Sequence, residues 1–84
     1  MNPTKVSALE LRTIGDEVLV HDPTHEQVHV LNGIAGRILE LCDGSRSAEA
    51  IARDVSSATG ADFARVNADV EAILAQFATL KLLG

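Results

Sequence analysis

The first third of the chain alternates apolar and polar residues with a period of two, which is typical of short β-strands with one buried face. The alternation predicts strands over residues 9–14, 17–21 and 27–31. Gly15 and Asp16 fit a two-residue hairpin loop with glycine first, and the turn formers around Pro23 separate the second strand from the third. Because three short antiparallel strands are not stable alone, helices must cover their apolar face.

Beyond residue 32 the apolar period changes from two to about 3.6, which predicts amphipathic helices. The expected helices cover residues 33–42, 48–58 and 63–80. Asn32, Ser47 and Asp62 occupy the N-cap positions, where a side-chain oxygen accepts a hydrogen bond from a free N–H group. Gly36 lies inside the first helix at a cost of about 1 kcal/mol relative to Ala, and close packing there would explain its presence.

Residues 1–8 show neither pattern, and we expect them to form a short flexible tail. Residues 9–84 then form a single domain of the α+β class, with a three-stranded antiparallel sheet followed by three helices. A domain of this size buries about 60–65% of the surface of its unfolded chain. A large active-site cavity is therefore not expected, and with only 2% aromatic residues the core must be aliphatic.

The charge balance argues against nucleic acid as a partner. Twelve acidic residues outnumber seven basic ones, and the basic residues are scattered along the chain. Duplex DNA binding usually requires clustered Lys and Arg against the phosphates. The N-terminal residues lack the apolar core of a signal peptide, and no apolar run approaches the roughly 20 residues of a membrane span. We expect a cytoplasmic protein with no membrane partner.

Candidate groups for catalysis or metal binding are few. Cys42 is the only cysteine, so no disulfide forms within the chain, and its place at the end of a helical apolar stripe indicates a buried filler. His21, His25 and His29 are spaced by four within a strand, turn and strand pattern. Solvated histidines are the commoner case, and a weak metal site across the hairpin is the alternative. Without a nucleotide-binding loop or a nucleophile paired with a base, we expect no catalytic residue, metal or cofactor.

The most specific motif runs from Leu31 to Ala52 and reads L-N-x5-I-L-x-L-C-D-G-S-R-S-x3-I-A, with Asp69-Val70 following on the last helix. A carrier protein does not fit this motif, because Gly44 stands after Asp43 where a carrier needs serine. The motif resembles the PqqD family (pyrroloquinoline quinone biosynthesis protein D) and, more broadly, the recognition elements of ribosomally synthesised and post-translationally modified peptides (RiPPs). The similarity covers nearly the whole chain, with departures at Gly33 and at the C-terminal sequence K-L-L-G.

The resemblance implies a small winged-helix-like domain that binds the leader of a precursor peptide and presents it to a modifying enzyme. In the quinone pathway that enzyme is a radical S-adenosylmethionine (radical SAM) enzyme. The leader is implied to add as a strand beside the third strand, in a groove closed by the third helix. The implied peptide-binding residues of this chain are Gln27, Val28, His29, Val30, Leu31, Val66, Asp69, Val70, Ile73, Leu74, Gln76 and Phe77. For the apolar helix residues, membership of the core is the open alternative.

Two other functions stay open at this level. A winged-helix DNA-binding regulator shares the helix, turn and helix pattern of residues 33–58. A module that forms homodimers is the other, because Ala64, Ala68, Ala72 and Ala75 give the last helix a smooth second face. That face also fits the simple preference of helices for Ala.

Overall fold

The computed structural model describes residues 2–84 and confirms the predicted α+β architecture. The strands are β1 (Glu10–Ile14), β2 (Glu17–Asp22) and β3 (Gln27–Asn32), and the helices are α1 (Gly33–Leu41), α2 (Ala48–Thr59) and α3 (Phe63–Thr79). Each element differs from its prediction by one residue at one end. Within residues 2–84, no helix combines the length and apolar character that crossing a membrane requires.

The three strands form one antiparallel sheet in the order β1-β2-β3, which leaves one side of β3 without a neighbouring strand. Gly15 has a φ of 59°, the positive value that a two-residue hairpin loop with glycine first requires. The register places Val18 opposite Leu31 and Val20 opposite His29. Because Val18 and Val20 are buried, these pairs define the face of the sheet that the helices cover.

The core combines one face of the sheet with all three helices. Its largest fully buried apolar side chains are Val20, Ile38, Leu39, Ile51, Val70, Phe77 and Leu82. Arg37 of α1 donates two hydrogen bonds to Asp54 of α2, at 3.0 and 2.6 Å. The guanidinium of Arg53 lies 4.7 Å from the ring centre of Phe63 and links α2 to α3.

Gly36 allows α1 to approach the sheet closely. A Cβ atom at this position would lie 2.8 Å from Cβ of Val18 and nearer still to one of its methyl groups. This contact confirms that the glycine serves close packing, because any larger residue would force α1 away from β2.

The N-terminal segment is paired with residues that are distant in the sequence. The N–H of Lys5 donates to the carbonyl of Cys42 at 2.7 Å, and the N–H of Val6 donates to that of Leu82 at 2.9 Å. Two further bonds, from Gly44 and Gly84, reach the carbonyls of residues 3 and 4. The sequence predicts a flexible tail over residues 1–8, of which Met1 lies outside the described residues. The partners of residues 3–6 are non-local, and a local pattern gives no sign of them.

The turn between α1 and α2 is held by the carboxylate of Asp43. The backbone N–H of Ser45 donates to it at 2.9 Å, its hydroxyl at 2.5 Å, and the Arg46 guanidinium at 2.8 Å. The bonds from Ser45, reinforced by the Arg46 charge, lower the pKa of Asp43 from 3.8 to about 2. Ser47 then caps α2 by accepting from the N–H of Ala50. The residues that carry the family resemblance therefore build the scaffold.

Candidate functional site

The two-residue loop between β1 and β2 determines which backbone groups of β2 face β3. Ile14 and Glu17 flank this loop and exchange hydrogen bonds, as the closing pair of a tight hairpin does. Hydrogen-bonded and non-bonded pairs alternate along an antiparallel ladder. Residues 17, 19 and 21 of β2 therefore bond to β1, and Val18 and Val20 direct their backbone groups toward β3.

The same alternation determines which backbone groups of β3 face β2 and which face away from it. His29 and Leu31 lie opposite Val20 and Val18 and use their N–H and C=O groups on β2. The N–H and C=O groups of Val28 and Val30 consequently point to the free side of the sheet. We call this side the β3 edge. An extended peptide could pair with it.

The β3 edge lacks the usual protection against strand pairing. Edge strands are commonly blunted by charged residues, proline or a bulge. The strand reads Q-V-H-V-L-N, without a charge or a proline, and its ladder with β2 has no bulge. It is therefore open to a further strand.

The side chains of β3 divide between two environments. Val28 and Val30 point away from the helices and are 61% and 59% exposed. His29 and Leu31 point toward the helices and are partly buried. Because Val20 is buried and lies opposite His29, the register leaves the two valines outside the core.

An apolar pocket of about 280 Å³ lies between the three helices, close to the end of β3. Its lining residues are Ile34, Ile38, Val55, Thr59, Ala61, Arg65, Val66, Asp69 and Ile73. We call it the helix pocket. Ile34 stands two residues beyond β3 and is 43% exposed. Arg65 and Asp69 provide charge beside the apolar walls.

The structure divides the α3 residues named from the sequence. Val66, Asp69 and Ile73 line the helix pocket. Val70 and Phe77 are each 1% exposed and belong to the core, so they offer almost no surface to a ligand. Val66 is 7% exposed and belongs to the core as well, whereas Asp69 is exposed and Ile73 is half-buried. Leu74 faces a different cleft, beside the N-terminal segment and the C-terminus, and Gln76 lies near Leu80 at the far end of α3.

Ile34, Ile38 and Arg65 line the helix pocket without having been identified from the sequence. Ile34 and Ile38 share a helical spacing, which predicts a face turned to the core. The spacing does not show that Ile34, at the end of this face near β3, is partly exposed. The exposed position of Ile34 follows from how α1 crosses the sheet, which is a tertiary feature.

The turn between β2 and β3 is organised by the buried carboxylate of Asp22. It accepts hydrogen bonds from the N–H groups of Thr24 and His25, at 3.1 and 3.3 Å, and lies 2.6 Å from Nδ1 of His25. Burial by itself would raise the pKa of Asp22. The hydrogen bonds and charge of His25, together with the bond from Thr24, outweigh burial and lower it below 3.8.

The three histidines lie in different surroundings. His25 contacts Asp22, and His21 lies 3.6 Å from Glu10 on the outer face of the sheet. Nε2 of His29 is buried and has no hydrogen-bond partner. Among residues 2–84, no group of three or more His, Cys, Asp or Glu side chains is placed to hold a metal ion.

Comparison with known proteins gives one family and two structural neighbours. A family model described as coenzyme PQQ synthesis protein D (PqqD) matches residues 17–83. No curated protein sequence matches the chain.

The first structural neighbour is the PqqD truncation of PqqCD from Methylobacterium extorquens, described as a functional and stand-alone RiPP recognition element. It is 26% identical with a TM-score of 0.81, over 98% of this chain and 87% of that one. The second is TbiB1 in complex with the TbiA(beta) leader peptide, 22% identical with a TM-score of 0.82. The alignment covers 95% of this chain and 93% of TbiB1, and at this identity it supports the fold alone.

Proposed function

The chain belongs to the PqqD family, and from this premise we propose that it is a non-catalytic domain that binds the leader of a ribosomally synthesised precursor peptide. The observation that carries the proposal is an unprotected strand edge whose strand leads, two residues on, into an apolar pocket at Ile34. The description of the Methylobacterium extorquens relative as a RiPP recognition element supports it. The leader would add to the sheet as a fourth strand beside β3.

Backbone pairing alone does not supply the affinity. Ordering one peptide residue costs about 1–2 kcal/mol, and one net hydrogen bond returns about 0.5–1.5 kcal/mol. The N–H and C=O groups of Val28 and Val30 therefore fix the position and direction of the leader strand. Side chains of the leader must provide the stabilisation.

The helix pocket is the proposed receptor for an aliphatic anchor of the leader. Each apolar side chain buried against Ile34, Val66 and Ile73 contributes about 1.5–3 kcal/mol. Two or three such anchors bring the binding free energy toward −8 kcal/mol, the micromolar range, after the costs of association. Arg65 and Asp69 would then select polar neighbours of the anchor.

The modification of the precursor peptide would be catalysed by a partner of this chain. We propose that the domain delivers its leader to a modifying enzyme, such as the radical SAM enzyme that the family resemblance implies, in the cytoplasm. The domain itself would need no cofactor, because binding and presentation require only the edge and the pocket.

The proposal is tested with an isotope-labelled sample of the full chain and a synthetic leader from the short precursor encoded nearest to it. Amide signals of residues 27–34 and of the pocket-lining part of α3 should shift, and a scrambled peptide of the same composition should shift none. Ile73→Asn should weaken binding at least tenfold. Leu74→Asn, on the same helix but in a different cleft, should leave affinity within about twofold. Shifts confined to residues 43–54 would contradict the proposed site.

DNA binding remains the second candidate function, and the charges of the helical half disfavour it. Arg37, Arg46 and Arg53 are paired with Asp54, Asp43 and Glu49 at 2.6–2.8 Å. These arginines are therefore occupied by carboxylates of the same chain. A gel shift that disappears with increasing salt would favour the regulator instead.

A further inference from the structure

His29 carries a buried hydrogen-bonding atom that the chain leaves without a partner. Among residues 2–84, its Nε2 is the single buried side-chain nitrogen or oxygen atom that forms no hydrogen bond. The buried carboxylate of Asp22 shows the usual arrangement, because it accepts from the N–H groups of Thr24 and His25. A buried polar atom without a partner destabilises a fold, so its presence in β3 calls for an explanation.

The register places the His29 ring at the border between the core and the β3 edge. His29 stands opposite Val20, whose side chain is fully buried, so the ring lies on the inner face of the sheet. The residue as a whole is only partly buried, although its Nε2 is covered. Because β3 is the last strand of the sheet, a strand added there becomes the next neighbour of this ring.

A leader strand paired with β3 must place one of its side chains beside His29. Val28 and Val30 direct their N–H and C=O groups to the leader, so the leader residue opposite His29 lies between two hydrogen-bonded pairs. In an antiparallel ladder the Cα atoms of such a non-bonded pair are about 4.5 Å apart, and both side chains point to the same face. A parallel leader also has an inner-face side chain level with His29.

On the premise that the chain binds a leader, we propose that the leader residue opposite His29 is an uncharged polar one, whose hydroxyl or carboxamide hydrogen-bonds to the His29 ring. A neutral imidazole has one donor and one acceptor nitrogen, and hydroxyls and carboxamides pair with either. A half-turn of the ring about χ2, a torsion with broad two-fold preferences, exchanges the places of Nε2 and Cε1. The nitrogen therefore has two orientations from which to meet its partner.

The charges of the site favour an uncharged partner over a carboxylate. A side chain between β3 and the helices is removed from water, and enclosing a charge there is costly unless an opposite charge accompanies it. Among the residues that line the helix pocket, Arg65 is the single cation and Asp69 the single anion. The chain as a whole carries a net charge of −5. Neither the pocket nor the chain therefore offers an excess of positive charge to a leader carboxylate.

His29 then acts as a specificity residue of the β3 edge. An aliphatic leader side chain at this place would leave the ring nitrogen without a partner, as it is in the free chain. A site with a buried polar group discriminates against ligands that do not pair with it. The helix pocket selects an aliphatic anchor, whereas His29 selects a polar residue elsewhere on the same leader strand.

A double-mutant cycle between His29 and the leader tests the inference. Each polar residue of the synthetic leader is replaced by Ala in turn, and calorimetry gives the affinity of every peptide for the wild-type chain and for His29→Leu. One replacement, of a Ser, Thr, Asn or Gln, should weaken binding to the wild type about fivefold, the effect of one net hydrogen bond. The same replacement should change binding to His29→Leu by less than about twofold.

Three variants of the full chain separate recognition from folding. His29→Leu should bind the unmodified leader about fivefold more weakly, with a urea midpoint at or above that of the wild type, because the unpaired buried nitrogen is gone. His29→Gln retains a donor and an acceptor and should bind more tightly than His29→Leu. His21→Leu, on the outer face of β2, should change affinity by less than about twofold.

The outcomes distinguish this inference from the proposed function. A leader that binds with no polar position coupled to His29, or with coupling to an acidic or basic residue, overturns the inference and leaves leader binding in place. A lower urea midpoint of His29→Leu without coupling assigns the ring to the fold and overturns the inference as well. A leader that does not bind the wild-type chain overturns both proposals.

Discussion

The turn from Cys42 to Ser47 and the β3 edge differ in whether their polar groups have hydrogen-bond partners. In the turn, the Asp43 carboxylate, the Ser45 hydroxyl and the Arg46 guanidinium all have partners within six residues. At the edge, the backbone groups of Val28 and Val30 face away from the sheet, and their side chains are mostly exposed. A satisfied turn stabilises the fold, whereas an unsatisfied edge is available to a partner.

The difference separates the residues that identify the family from the residues proposed to bind the leader. The turn carries the most recognisable residues of the sequence, and its Asp43, Ser45 and Arg46 side chains bond to one another. The sequence of the β3 edge is that of an ordinary short strand. We assign it a binding role because no strand lies on its outer side. Variants in the two regions should therefore affect different measurements.

Proline at adjacent positions of β3 should give the largest effect. His29→Pro removes a hydrogen bond to β2 and leaves the carbonyl of Val20 without its partner, which should lower the free energy of unfolding by about 2–4 kcal/mol. Val30→Pro removes only an edge donor, so stability should change by less than about 1 kcal/mol while leader affinity falls at least tenfold. Urea unfolding and peptide titration measure the two quantities. Equal destabilisation by both prolines would refute the assignment of the edge groups.

Ser47→Ala should affect stability and leave binding unchanged. The hydroxyl accepts from the N–H of Ala50 at 3.1 Å, and losing an N-cap of this kind costs about 1 kcal/mol. Leader affinity should stay within twofold, because α2 contributes to the helix pocket only beyond its middle. A binding defect at full stability would show that the turn region contacts the partner.

Acid should destabilise the turn through Asp43. The bonds from Ser45 lower the pKa of this carboxyl from 3.8 to about 2. A lowered folded-state pKa means that the contribution is complete above pH 3.8 and is lost as the pH falls toward 2. The urea midpoint should therefore fall over this window, and less so in Asp43→Asn. Asp22 has a lowered pKa as well, so the variant should retain part of the dependence.

The smallest effect is expected at Cys42. Its thiol should hardly react with disulfide reagents in the folded protein. Burial raises the pKa of its thiol to about 11, and Sγ donates to the carbonyl of Ile38 at 3.1 Å. A disulfide reagent at pH 8 should react only after denaturant is added. Val28→Cys should react in the folded protein. The reaction rates of these two thiols therefore compare the buried core beside the turn with the exposed β3 edge. Rapid reaction of Cys42 would mean that the core opens readily there.

The candidate site was predictable only in part. The proposed role of β3 as the partner strand came with the family resemblance, and Val66, Asp69 and Ile73 do share one pocket. Val66, Val70 and Phe77 share a helical face with Ile73 by spacing, yet these three are buried and Ile73 is not. A wide apolar face contains both core and groove residues, and the sequence pattern does not mark the boundary between them.

Local chemistry determined the elements of this protein, because caps, turns and apolar periods act over a few residues. Asn32, Ser47 and Asp62 each accept from an N–H three residues on, as their positions predicted. Tertiary structure decided the rest. The anchoring of residues 3–6, the exposure of Val28 and Val30, and the place of Ile34 beside α3 all depend on contacts between residues far apart in the chain. Only the folded arrangement brings those residues together, so only the structure shows which strand edges are left open.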